Sequence, residues 1–234
     1  MKLTDYRRKR DFKVTPEPSG DSAGPERKSG RLIFVVQKHR ATNLHYDFRL
    51  QWGGALLSWA VPKGPSLDPA VKRLAMQVED HPIDYADFEG VIPEGEYGGG
   101  TVMVWDAGTW DAEVADVNEA LQKGDLKFTL NGKKLKGSWV LVRTRGFGSS
   151  SSKASWLLIK HRDDYASDDD ITLSEPYSAK THRLLADIAR EGGGNVEKAA
   201  TGDPPSKKKE LAPAKAASVR TRKVASSRTR KRSR

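Results

Sequence analysis

The sequence predicts a mainly β protein, an antiparallel barrel or sandwich with one or two short helices and a disordered basic tail. Three observations carry this expectation. Short β-rich runs recur from residue 31 to about residue 162, separated by Gly, Asn and Asp. Helical periodicity is scarce. The excess positive charge is confined to the C-terminus: the 234 residues include 41 Lys+Arg and 31 Asp+Glu, a net of +10, and residues 195–234 alone hold 13 basic and 3 acidic groups. That leaves 28 of each sign upstream, so the basic character describes the tail and says nothing of the globular part.

Taken in order, residues 1–30 are polar, rich in Pro, Gly and Ser, and read as an extended arm. The main domain is expected over 31–191. Strands are predicted at 32–37, 45–52, 55–61, 74–79, 101–105, 126–130, 137–143 and 156–161. Asn131-Gly132 lies between two of these runs and suggests a hairpin turn, whose central positions favour φ > 0. Residues 116–122 open on a capping-type Asp and are followed by Lys123-Gly124, which predicts a helix. Residues 182–190 carry Leu184, Leu185 and Ile188 ahead of three glycines and predict a second. Residues 146–153 form a Gly/Ser loop, and residues 192–234 combine low hydrophobicity with one-signed charge, which predicts disorder.

The chain has no cysteine, which removes disulfides, thiolate catalysis and thiolate zinc ligation. No apolar run nears the roughly 20 residues a membrane helix needs. The basic N-terminus has no apolar stretch behind it and does not read as a signal peptide. These features fit a cytoplasmic protein, and nucleoid association and a monomeric state are expected.

The informative stretch is His39-Arg40-Ala41-Thr42-Asn43-Leu44-His45-Tyr46-Asp47-Phe48-Arg49-Leu50-Gln51-Trp52. In a strand from His45, successive side chains alternate faces. Tyr46, Phe48, Leu50 and Trp52 form an apolar face that belongs in a core. His45, Asp47, Arg49 and Gln51 share the other face, and His39 can fold back beside them. Two imidazoles and a carboxylate suit Mn²⁺, Zn²⁺ or Fe²⁺ and leave coordination positions open. Arg49 offers a planar fork of donors to a phosphate oxygen. An isolated His-x-Asp-x-Arg is as readily a solvated polar face. The extra histidine and the apolar opposite face favour a site here.

Three of the five histidines fall between His39 and His81. His81, fixed by Pro82, is a candidate phosphate clamp or general acid, and Tyr85 a hydroxyl donor; a local turn is the competing reading. Lys63 and Arg73 are cations near strand ends. The Gly-rich run from Glu89 to Gly100 matches no nucleotide-cradle spacing and reads as a tight structural loop.

The runs Phe34-Val35-Val36-Gln37-Lys38-His39, Leu44-His45-Tyr46-Asp47-Phe48-Arg49-Leu50, Ser58-Trp59-Ala60-Val61-Pro62-Lys63-Gly64-Pro65-Ser66, Val78-Glu79-Asp80-His81-Pro82 and Phe88-Glu89-Gly90-Val91-Ile92-Pro93-Glu94-Gly95-Glu96-Tyr97-Gly98 resemble the 3′-phosphoesterase family. That family comprises the phosphoesterase module of bacterial DNA ligase D and its stand-alone forms, and the chain resembles the latter. The resemblance implies a small β-barrel and a Mn²⁺-dependent hydrolase that removes 3′-terminal ribonucleotides and 3′-phosphates from DNA ends, leaving 3′-OH for end joining. It assigns His39, His45 and Asp47 to the metal, Arg49 and His81 to the phosphate, and Lys63, Arg73, Glu79 and Tyr85 to supporting positions. Arg10, Asp11 and Glu17 also fall on functional positions, which implies that residues 10–18 lie across the site. The implied partners are DNA 3′ ends, at a primer-template or a break, and end-joining ligase or polymerase proteins. No Lys-x-Asp-Gly motif is present, so ligation is not expected. The other classes considered are a non-catalytic DNA-binding accessory protein and a hydrolase of small phosphoesters. The tail would tether the enzyme to DNA by counterion release, the competing reading being a solvated linker remnant.

Overall fold

The computed structural model describes residues 3–21, 30–144 and 154–205. Its strands are β1 (Ile33–Arg40), β2 (Leu44–Trp52), β3 (Ala55–Val61), β4 (Arg73–Gln77), β5 (Gly90–Ile92), β6 (Gly100–Ala112), β7 (Asp125–Gly132), β8 (Lys136–Arg143) and β9 (Ser155–Lys160). All pair antiparallel, in the order β1-β2-β3-β4-β9-β8-β7-β6, and β6 pairs again with β1. Eight strands therefore close into a barrel, which removes the free edges a sandwich would keep. β5 joins β6 at residues 100–102, ahead of the stretch that pairs with β7. The long β6 makes closure possible. A register shift between Val36 and Gln37 leaves Trp105 as an extra residue on β6, a bulge that bends the strand.

The alternation read from β2 is observed. Tyr46, Phe48 and Leu50 point into the barrel with Trp59 of β3, Trp105 and Trp110 of β6, Phe128 of β7, Trp139 of β8 and Trp156 of β9, all at most 3% exposed. The rings pack edge-on or tilted, at 5.3 Å for Tyr46–Trp105 and 5.8 Å for Phe48–Phe128. Each buried ring withdraws apolar area worth about 2–3 kcal/mol. A smaller cluster lies against the outer wall of β1, β3 and β6: Tyr6, Ile33, Val35, Leu56, Tyr85, Ala86 and Val104. It carries the N-terminal segment and the chain that follows β4.

Two local expectations shift. The β7–β8 turn falls at residues 133–135, just past Asn131-Gly132, because the Asp106 carboxylate accepts the amides of Lys133, Lys134 and Leu135. Gly132 is required for close approach instead: a Cβ there would lie 2.5 Å from the Phe34 ring and 2.6 Å from Asp106. β4 ends at Gln77, where the chain moves along β3. The Val78 amide bonds the Ser58 carbonyl, and Leu56 and His81 form a bridge.

Helix α2 (Val117–Lys123) matches its sequence signal, with the Asp116 carboxylate accepting the amides of Asn118 and Glu119. Helix α4 (Leu185–Glu191) lies where expected. Helices α1 (Thr4–Arg8) and α3 (Ile171–Ser174) and a 3-10 turn at Ile83–Asp87 carry no clear sequence period, being about one turn long. Residues 192–205, expected to be disordered, contain α5 (Val196–Ala200). Composition misses it because a few contacts hold it: the Asn195 side chain caps Lys198, Ala199 is 1% exposed, and the Asp203 carboxylate accepts the amides of Leu185 and Ala186. The rest of the expected tail, from residue 206, and the Gly/Ser loop at 146–153 lie outside the described residues.

Candidate active site

Cross-strand register builds the site. His39 on β1 lies directly opposite His45 on β2, and Gln37 opposite Asp47. Arg49 is opposite Ser58 of β3. All six face away from the barrel interior. His39 Nδ1 is 3.6 Å and His45 Nε2 3.7 Å from Asp47 Oδ2, and one ligand atom from each of the three residues lies within 4.8 Å of the others.

Backbone carbonyls fix both rings. His39 Nε2 donates to the Gly98 carbonyl at 2.9 Å, and His45 Nδ1 to the Asn43 carbonyl at 3.0 Å. Each ring is thereby left with a lone pair on the nitrogen that faces Asp47, as a metal ligand needs. Gly98 sits at φ 81°, a conformation that glycine adopts without strain. Burial by itself would raise the Asp47 carboxyl, but the Arg49 guanidinium, with His39 and His45 close by, holds it far below the usual carboxylate range. Burial lowers His45, with the neighbouring His39 and Arg49 adding to the effect and Asp47 opposing it. Two imidazole nitrogens and an ionised carboxylate fit a divalent ion of the kind that takes nitrogen and oxygen ligands.

Arg49 is 2% exposed and held by four side chains. It meets Asp47 at 3.2 Å, donates to Gln37 Oε1 at 2.9 Å and Ser58 Oγ at 2.8 Å, and reaches His81 Nδ1 at 2.9 Å. Arg10 approaches the other side of the same ring, 3.3 Å from Nε2. His81 is thus clamped between two guanidiniums. Burial, then the charges of Arg49 and Arg10, push it well below its ordinary value, so the ring is neutral. With its proton on Nδ1 it bonds the Glu79 carbonyl at 2.9 Å; with its proton on Nε2, Nδ1 accepts from Arg49.

The N-terminal segment lies across this wall. Tyr6 is fully buried, its hydroxyl donating to the Pro18 carbonyl, and the Arg10 guanidinium sits 3.9 Å from its ring centroid. The Glu17 carboxylate, 4% exposed, accepts from Arg10 at 2.9 Å, Tyr85 at 2.8 Å and Thr15 at 2.9 Å. Glu79 takes Lys9 at 3.0 Å and Arg10 at 3.5 Å. Burial would raise Glu79, but the hydrogen bond and charge of Lys9, with Arg10, bring it below the usual range. Burial raises the Tyr85 hydroxyl well above its normal range, and the Glu17 charge adds to this.

A cavity of about 70 Å³ remains between these groups, with Arg10, His39, Asp47, Arg49, Glu79, His81 and Tyr85 on its walls. Five residues expected at the site do not line it: His45 and Glu17 lie behind its walls, beside Asp47 and Arg10, and three others stand apart. Lys63 is exposed beyond the end of β3. Arg73 opens β4, opposite Leu158 of β9, and its Nε has no hydrogen-bond partner. Asp11 is exposed and accepts the amide of Lys13. The residues that sequence reasoning overlooked are Gln37, Ser58, Tyr6, Lys9, Tyr97 and the Gly98 carbonyl. Gln37 was discernible, two residues before His39 on the same face. Ser58 depended on register.

An ionised His₂Asp cluster beside paired guanidiniums, on the wall of a closed β-barrel, defines a candidate metal and phosphate site. The chain belongs over this barrel to the DNA ligase D 3′-phosphoesterase domain family, whose model matches residues 37–143. It is 53% identical over 186 residues to the multifunctional non-homologous end joining protein LigD of Pseudomonas aeruginosa, covering 78% of this chain and 22% of that protein. The LigD protein of Mycobacterium tuberculosis is 46% identical over 145 residues, covering 62% and 19%, and that of Mycolicibacterium smegmatis 40% over 167, covering 69% and 21%. The chain thus spans about a fifth of the length of these relatives.

Proposed function

We propose that this chain is a metal-dependent 3′-phosphoesterase that clears DNA ends for end joining, removing 3′-terminal ribonucleotides and 3′-phosphates. The observation that carries the reading is the convergence of one ligand atom each from His39, His45 and Asp47 within 4.8 Å of one another, beside Arg49. The family match supports the reaction class, and the relatives' names support the end-joining context.

His39, His45 and Asp47 would hold the ion, Mn²⁺ by family resemblance. Bound there, it supplies Lewis acidity at a phosphate oxygen. The chain's own groups do the rest. Arg49 and Arg10, which both line the cavity, donate to phosphate oxygens and stabilise charge that builds on them. Gln37, Ser58 and Asp47 hold Arg49 in place, and Glu17 and Glu79 hold Arg10. His81 spaces the two guanidiniums. The N-terminal segment keeps water from the inner side of the site, which strengthens these interactions.

The test is an end-labelled primer-template with a 3′-terminal ribonucleotide, incubated with Mn²⁺ or chelator, beside His45→Ala. Mn²⁺-dependent shortening by the wild type, lost together with ion uptake in the variant, is the expected result. Ends left intact by the wild type in every divalent ion would defeat the reading in favour of an accessory DNA-binding role. Equal turnover of a free nucleoside phosphate would favour the small-substrate reading.

A further inference from the structure

The cavity at the candidate site, about 70 Å³, is far smaller than the roughly 300–1,000 Å³ of pockets that enclose a small molecule. It has room for a phosphoryl group but not for a nucleoside. If the 3′-phosphoesterase reading holds, on which this inference rests, the terminal nucleoside must lie on the rim. Tyr97 stands there. It lines the cavity and is 44% exposed. Among the described residues, the other exposed tyrosines, Tyr165 and Tyr177, do not border this cavity.

The ring is held in a fixed loop. The Glu96 amide bonds the Pro93 carbonyl at 3.2 Å, and the Gly99 amide bonds the Glu96 carbonyl at 3.0 Å. The next residue, Gly98, supplies the carbonyl that orients His39, so the ring and the metal-ligand cluster are set by the same turn. Lys9 Nζ lies 4.6 Å from the ring centroid and 3.3 Å from the hydroxyl, and the Arg10 guanidinium 5.6 Å from the centroid. An exposed aromatic face flanked by cations, at the mouth of a phosphate-sized cavity, is the arrangement by which proteins take unpaired nucleotides, stacking the base and neutralising the backbone.

We propose that Tyr97 forms the nucleoside subsite, stacking on the base of the 3′-terminal nucleotide and so seating its phosphate in the cavity that Arg10 and Arg49 line. The contact is indifferent to base identity, because every base offers a π face.

The experiment compares two primer-templates, one ending in a 3′ ribonucleotide and one in a 3′ abasic ribose, as substrates for the full chain, Tyr97→Phe, Tyr97→Leu and Tyr97→Ala. Stacking of this kind predicts that the wild type prefers the base-bearing end by about 5- to 150-fold in kcat/KM, mostly through KM. Tyr97→Phe should keep the preference; Tyr97→Ala and Tyr97→Leu should bring it close to one. A preference that survives in Tyr97→Ala while the wild type turns over both ends overturns the subsite alone. A wild type that turns over neither end overturns the proposed function and the subsite with it.

Discussion

Glu17→Gln should release the N-terminal segment from the barrel wall without unfolding the barrel. Glu17 is 4% exposed, and its carboxylate takes donors from Arg10, Tyr85 and Thr15. Glutamine keeps the shape but removes the charge and turns one acceptor into a donor, facing donors already there. Breaking a buried ion pair costs about 3–5 kcal/mol. Arg10 retains Glu79 at 3.5 Å and the Tyr6 ring at 3.9 Å, which places the cost near the lower end, about 3 kcal/mol. That corresponds to about a 150-fold rise in the population of the open segment. Hydrogen exchange reads it directly at the amides of Arg7, bonded to the Leu3 carbonyl, and Thr15, bonded to the Asp11 carbonyl. Both should exchange about 150-fold faster, while amides of the β2–β3 ladder stay protected. Exchange within about threefold of wild type, or barrel and segment opening together, would refute the reasoning.

Two further outcomes follow. With chelator present, stability should fall as pH drops below about 6.5, because His81 and His45 are both held below their ordinary values, chiefly by burial. The unfolded chain then takes up protons that the folded one refuses, at up to about 1.4 kcal/mol per pH unit for each group. Urea midpoints between pH 7.5 and 5.5 check this, and a midpoint that rises on acidification would contradict it. Removal of residues 206–234, which hold 12 Lys+Arg and one Glu, should weaken DNA binding and flatten its dependence on salt, leaving turnover of a small chromogenic phosphodiester largely intact. Equal loss of both would refute a tethering role. A cut at residue 195 is a poor test, since it also removes α5 and the Asp203 cap of α4.

The legible parts of the fold were those with a strong local period. β2 announced itself because every second residue is apolar, and the same alternation set His45, Asp47 and Arg49 together on the opposite face. Closure was not legible from periodicity: it depends on β6 meeting β1, more than 60 residues earlier in the chain, through a bulge at Trp105. At the site, the His₂Asp cluster was readable because its members are six and two residues apart. The clamp on His81 was not, since Arg10, Arg49 and His81 come from three separate segments and meet only in the folded chain. Lys63 and Arg73 followed family resemblance, and their side chains stand apart from the cavity in this structure. The segment 192–205 was misread because average composition cannot register a few well-placed caps.

The alternation along β2 also divides labour by parity. Odd-numbered residues 45, 47 and 49 face the candidate site; even-numbered 46, 48 and 50 pack the barrel interior. The three-residue connection at Ala41, Thr42 and Asn43 sets which is which, because it fixes His39 opposite His45. Adding or deleting a single residue there, with the β2–β3 register kept, would slide both sets past their partners on β1 at once. The length of that short reversal is therefore a dimension this chain is not free to vary, even though none of its three side chains lines the cavity or belongs to the His₂Asp cluster.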